Sequence, residues 1–147
     1  MEQILITVVL VTLGYFFGKR AEKKHIKSII EREHIMNQLP AMAGRVPPTD
    51  GDYNQQLVSG SVVIANDYFK TFVAGLRNLF GGKISAYETL LDRARREAVL
   101  RMKQEAETLG AELIFNVKYE TSNISGQYNK RLPAIEVHAY GTALKKL

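Results

Sequence analysis

Glu136 and His138 stand two residues apart in the run AIEVHAYGTAL, from Ala134 to Leu144. In a strand, that spacing puts both side chains on one face. A carboxylate and an imidazole so placed could hold a zinc-like divalent ion if a neighbouring subunit supplied further ligands. The competing explanation is an ordinary polar sheet surface. The chain contains no cysteine, which excludes disulfides and thiolate metal sites. The other two histidines, His25 and His34, are nine apart and do not share a helix face closely.

A second candidate is Gly81-Gly82-Lys83, just before a helix start. Free N–H groups and the helix dipole favour anions at such a place. The P-loop pattern is missing, however, and a turn that needs one glycine at positive φ explains the same residues. No G-x-S-x-G occurs, and no Ser/His/Asp arrangement suggests itself. Asp67, Tyr87 and Glu88 are accounted for by helix capping and packing. The expectation is a protein that is not an enzyme. Net charge is +5, with no concentrated basic face and no aromatic residues placed for base stacking, so nucleic acid is not an expected partner.

The elements that must position these residues begin with an apolar run. Ile4 to Gly18 (ILITVVLVTLGYFFG) carries no charge. As a helix it rises ~22 Å, against a bilayer core of about 30 Å. Gln3 and Met1 at one end and snorkelling Lys19 and Arg20 at the other extend its reach. A secretory signal would start with basic residues, whereas this chain starts Met1-Glu2-Gln3, and the A-x-A-like Ala41-Met42-Ala43 lies far downstream. A buried core helix would show a polar face, and the run offers only Thr7 and Thr12. The run is therefore expected to be a single-pass membrane anchor, with Ile4, Leu5, Val8, Val9, Leu13, Gly14, Phe17 and Gly18 in the bilayer. Lys19, Arg20, Lys23 and Lys24 would lie at the membrane surface, followed by Lys27. This positive flank places the C-terminal body in the cytoplasm. Tyr15, Phe16 and Phe17 then reach the inner headgroup level. Gly14 and Gly18 form G-x-x-x-G, which permits close helix association. A pore of such helices would have little but two threonines to line it.

Downstream, Ala21 to Leu39 is expected to continue as a helical stalk, either solvated or packed on copies of itself or on the membrane. Pro40 to Asp52 (PAMAGRVPPTDGD) reads as a linker. The body, 53–147, reads β-α-α-β-β. Its parts are a strand over 56–65 in which Gly60 marks a bulge or close contact, a helix with apolar positions from Tyr68 to Phe80, a long helix from Ala86 to Leu109, and strands over 112–120 and 134–144. Ser85 and Glu88 form a capping box for the long helix, and Gly110 closes it. Tyr87, Leu90, Leu91, Ala94, Ala98, Met102, Ala106 and Leu109 form its apolar stripe. Arg93, Arg95, Arg96, Arg101 and Lys103 interleave with acids as a solvated face of ion pairs. The fold class is thus α+β: residues 1–39 as anchor and juxtamembrane helix, 40–52 as linker, 53–147 as a small domain. A body of that size is marginal alone and leaves sheet edges open, so self-association is expected.

Several stretches of the body resemble the YbjQ family, whose members carry a heavy-metal-binding label. These are LVSGSV from Leu57, AGLRNLFGGKISAYE from Ala74, RARREA from Arg93, LGAELI from Leu109, VKYET from Val117 and GTAL from Gly141. The GG-x-x-x-x-YE stretch and the terminal GTA are the most specific. The resemblance implies a small α+β fold that assembles through its sheets into homo-oligomeric rings based on pentamers, with no established reaction. The added N-terminal helix departs from many members. Together these point to a membrane-anchored homo-oligomeric scaffold or binding protein, with the bilayer and copies of itself as partners. The alternative is a metal-handling protein with sites at subunit junctions near Glu136 and His138, for which a divalent metal is the one cofactor to consider.

Overall fold

The computed structural model describes residues 1–46, 51–65, 85–124 and 134–147. Helix α1 runs unbroken over Glu2–Ile35 and tightens into a 3-10 turn at Met36–Gln38. Strand β1 spans Tyr53–Ala65, helix α2 Ser85–Thr108, β2 Leu113–Asn123 and β3 Ala134–Lys146. The helix expected between Tyr68 and Phe80 lies outside the described residues.

The three strands form an antiparallel sheet in the order β1-β3-β2. Alternation fixes its two faces. Ile135, Val137, Ala139 and Gly141 are buried, while Glu136, His138 and Tyr140 between them lie on the outer side. One register pairs Val62 with Val137 and Ile64 with Ile135, which lines up the apolar sides of β1 and β3. Helix α2 covers that side with Leu90, Ala94, Ala98, Met102 and Ala106, the core of the expected stripe. The alanines let the helix lie close to the sheet. A Cβ on Gly60 would run into the Ala98 carbonyl oxygen, and would come within 2.5 Å of the Met102 nitrogen. Pairing continues unbroken through Gly60, so the glycine marks a close contact and not a bulge.

Gly110 ends α2 at φ 71°. Ala111 N–H donates to the Ala106 carbonyl at 3.0 Å, and Gly110 N–H to the Glu107 carbonyl at 2.9 Å. This 6→1 and 5→2 pair is a Schellman cap, which explains the glycine there.

Two expectations need correction. Residues 40–44 are not a free linker. Ala41 bridges Ile114 in parallel, Ile114 N–H donates to the Pro40 carbonyl at 2.9 Å, and Asn116 N–H to the Gly44 carbonyl at 2.9 Å. Proline lacks a donor but keeps its acceptor, so Pro40 can still serve an edge strand. The segment covers part of the open side of β2, where Asn116 (φ 55°) interrupts the β2–β3 register between Phe115 and Lys118. Nor is Ala21–Leu39 a stalk standing clear of the body. Its inner side packs on α2: Ile29 is 1% exposed, and so is Leu100 on α2, which the stripe omitted.

Candidate functional site

Charged side chains hold α1 to α2, because their bases and acids fall on facing sides of the two helices. Arg32 grips Glu97 with both nitrogens of its fork: Nη1 donates to Oε1 at 3.2 Å, and Nη2 donates to Oε2. Arg101, one turn on, donates from Nε to the same Oε1 at 3.2 Å. A second fork joins Arg96 to Glu33 at 2.7 and 2.5 Å. Arg93 lies 3.7 Å from Glu22, and Lys103 donates to the Met36 carbonyl at 3.2 Å. Of the basic residues of α2, Arg93 and Arg96 pair with acids of α1, and Arg101 pairs with Glu97 of its own helix. Burial alone would push the Glu97 carboxyl up, yet its hydrogen bonds from Arg32 and then Arg101 hold it below the usual carboxylate value. The hydrogen bond from Arg96 holds Glu33 low as well. Burial lowers the Lys103 ammonium.

The other half of α1 is the reverse. Ile4, Leu5, Val8, Val9, Leu13 and Phe17 are all exposed, five of them close to half or more of their surface and Phe17 at 69%. The helix is long and apolar enough to cross a membrane, and none of its most apolar window is buried against the body. The Thr12 hydroxyl donates to the Val8 carbonyl at 2.7 Å, so it needs no outside partner. A Cβ on Gly14 would meet nothing, so that side of the helix is open. Lys19 Nζ donates to the Tyr15 hydroxyl at 2.9 Å, and Lys19, Arg20, Lys23 and Lys24 are exposed.

On the outer side of the sheet, β3 carries Glu136 and His138 on one face, as their spacing requires. Register brings a further carboxylate that the sequence did not reveal. Glu120 of β2 stands directly across from His138, and Ser61 of β1 stands on its other side. The Tyr140 hydroxyl donates to Glu120 Oε1 at 3.0 Å, and this hydrogen bond raises the phenol above its ordinary value. The Tyr140 ring lies 5.6 Å from His138, tilted by 31°. Only the pairing of β2 with β3 discloses Glu120, since the two glutamates are far apart in sequence. Among the described residues, no group of three or more His, Asp or Glu is arranged to hold a metal ion. His25 is not joined to His34; its Nε2 lies 3.9 Å from Glu97, and its Nδ1 is buried without a hydrogen-bond partner among the described residues. Gly81, Gly82 and Lys83 lie outside the described residues.

Residues 42–146 match the sequence model of the YbjQ family, described as "Putative heavy-metal-binding". A UPF0145 protein of Clostridium novyi (strain NT) is 41% identical over 91 residues, covering 62% of this chain and 82% of the relative. A UPF0145 protein of Hahella chejuensis is 40% identical over 88 residues, covering 60% of this chain and 79% of the relative. A solved chain of unknown function from Pediococcus pentosaceus, assigned to the DUF74 family, covers 74% of this chain with a TM-score of 0.49 and 15% identity. The family match starts after α1 and takes in the end of the strand-like segment beside β2, the whole sheet and α2. By that match this chain belongs to the YbjQ family.

Proposed function

We propose that this chain is a membrane-anchored, homo-oligomeric binding protein without catalytic activity, its YbjQ domain held at the cytoplasmic face by α1. One observation carries the proposal: a single continuous helix is unburied and apolar at one end and ion-paired to the body at the other. Water penalises the first half by about 25 cal/mol per Å² of apolar surface, a penalty that lipid removes. The basic flank of the run favours a cytoplasmic body. Self-association has its own support. No strand pairs with the outer edge of β1 among the described residues, and Leu57 and Val63 on it are exposed. A pentamer-based ring would cover that edge and multiply a short anchor by the number of subunits.

Alkaline carbonate washing of membranes that contain the full chain tests the anchor. The chain should stay in the pellet, and deletion of residues 2–18 should move it to the supernatant. A full-length chain released by carbonate would defeat the proposal. The mass in detergent tests the assembly, and a monomer would defeat that part.

A second function has an observation in its favour: Glu120 stands opposite His138, and Glu136 lies two residues along on the same outer face. A zinc-like ion bound there would need ligands from another copy, since one chain supplies no complete set among the described residues. Metal analysis of the purified assembly, with His138→Ala as control, separates this from a metal-free scaffold.

A further inference from the structure

Arg20, Lys23, Lys24 and Lys27, with Lys19, follow the apolar end of α1 over about 12 Å of helix. That is enough to traverse one headgroup layer, given a bilayer of about 30 Å core and 40–45 Å in all. Their direction matters more than their number. At 100° per residue, the half-buried or buried positions Gly18, Glu22, His25, Ile26, Ile29 and Arg32 share one side of α1, against the body. The five cations are all exposed and centre roughly 160° away from that side. Acids are sorted the same way: Glu22 turns toward Arg93, while Glu31 is taken up by Lys27 at 3.7 Å. Arg20, Lys23 and Lys24 have no ion pair among the described residues. Among the described residues no acid of the body pairs with Arg20, Lys23 or Lys24, although the other side of the same helix segment is paired to α2. Just below, Tyr15, Phe16 and Phe17 border the same concave surface as the cations. Aromatic rings of this kind settle at the level of headgroup and ester.

We infer that this face of α1 binds the headgroups of anionic phospholipids, so that the chain gathers acidic lipid around its anchor. The inference rests on the membrane placement proposed above. Charge complementarity identifies the occupant: unpaired cations at headgroup depth, beside aromatic rings, match a phosphodiester fixed in a membrane surface.

The test uses the full chain in nanodiscs made from equal amounts of phosphatidylcholine and phosphatidylglycerol, with the lipids that remain bound counted by native mass spectrometry. Wild type should retain phosphatidylglycerol over phosphatidylcholine by about fivefold or more, given the usual worth of one cation near a charged membrane. The triple variant Arg20→Gln, Lys23→Gln, Lys24→Gln should bring the ratio close to one while still entering the discs. Equal retention of the two lipids by wild type would overturn the inference and leave the anchor standing. So would a variant that keeps the wild-type preference. Equal lipid retention together with capture of an RNA oligonucleotide would assign the face to nucleic acid instead. Failure of the chain to enter pure phosphatidylcholine discs would remove the anchor, and this inference with it.

Discussion

Arg32 and Glu97 meet fork to fork across the seam between α1 and α2, and the Glu97 side chain is only 6% exposed. They are 65 positions apart, one in the helix that carries the apolar run and the other in the helix that covers the sheet. The pair therefore joins the helix that carries the apolar run to the family domain. Arg32→Ala leaves the carboxylate buried with Arg101, and His25 at 3.9 Å, as its remaining partners. Loss of one member of a buried pair typically costs about 3–5 kcal/mol, and Arg101 should hold the loss to the low end. Urea unfolding in detergent checks it. A change below about 0.5 kcal/mol, the level of an exposed pair, would show that the two helices are not held by this contact.

The same pairs set a pH response. Glu33 and Glu97 are both held below their ordinary value of 4.5 in the folded chain. In the unfolded chain that hold is absent, so the unfolded state binds more protons as pH falls toward 4.5. Their contribution is therefore present above that pH and is lost as pH falls through the lower, folded-state values. Stability measured from pH 7 downward should decline below about pH 5. Glu33→Gln should flatten part of that decline. Glu33 is more than a third exposed, so its share is screened by solvent and should be the smaller. A variant with the full wild-type decline would show that other carboxylates set it.

Much of this architecture was legible in local sequence, and the reason is physical. The apolar run, the Gly110 that ends α2, and the alternation around Glu136 are signals carried by neighbours within a few positions. What escaped depends on partners far away. Pro40 to Gly44 looked like a linker because its prolines and glycines punctuate; its pairing with β2 exists only once an edge is there to be covered. Leu100 fell outside the α2 stripe because the stripe describes one face, whereas α1 buries a second. Glu120 looked unremarkable until register set it opposite His138.

Gly60→Ala should be among the most damaging single-methyl changes in the body. Its Cβ would meet α2 backbone atoms and Arg101 Cβ at 2.8 Å, and backbone cannot swing aside as a side chain can. Overpacking costs about 1–3 kcal/mol where side chains can adjust, and the upper end or more is expected here. Gly14→Ala is the contrasting case, with nothing within 4 Å of the added methyl. It should leave body stability unchanged, and would weaken detergent-resistant association only if Gly14 and Gly18 bring helices together. Thermal melts of both variants decide it, and equal melting for Gly60→Ala and wild type would contradict the close approach of α2 to β1.

The last prediction concerns the outer face of the sheet. Tyr140 donates its phenol to Glu120, which raises the phenol above its ordinary value of 10.0. Glu120→Gln removes the negative acceptor, so ultraviolet titration should find Tyr140 ionising at lower pH than in wild type. Tyr140→Phe, which lacks the titrating group, assigns the signal among the tyrosines. The same titration tests whether Glu120 takes a metal. A carboxylate that ligates zinc exchanges a hydrogen-bonded proton for the ion, so saturating zinc should lower the Tyr140 ionisation in wild type. Zinc should have no such effect in His138→Ala if the imidazole opposite Glu120 is the second ligand. A Tyr140 titration that zinc leaves unmoved in the wild-type chain would leave Glu120 as the phenol's acceptor and nothing more.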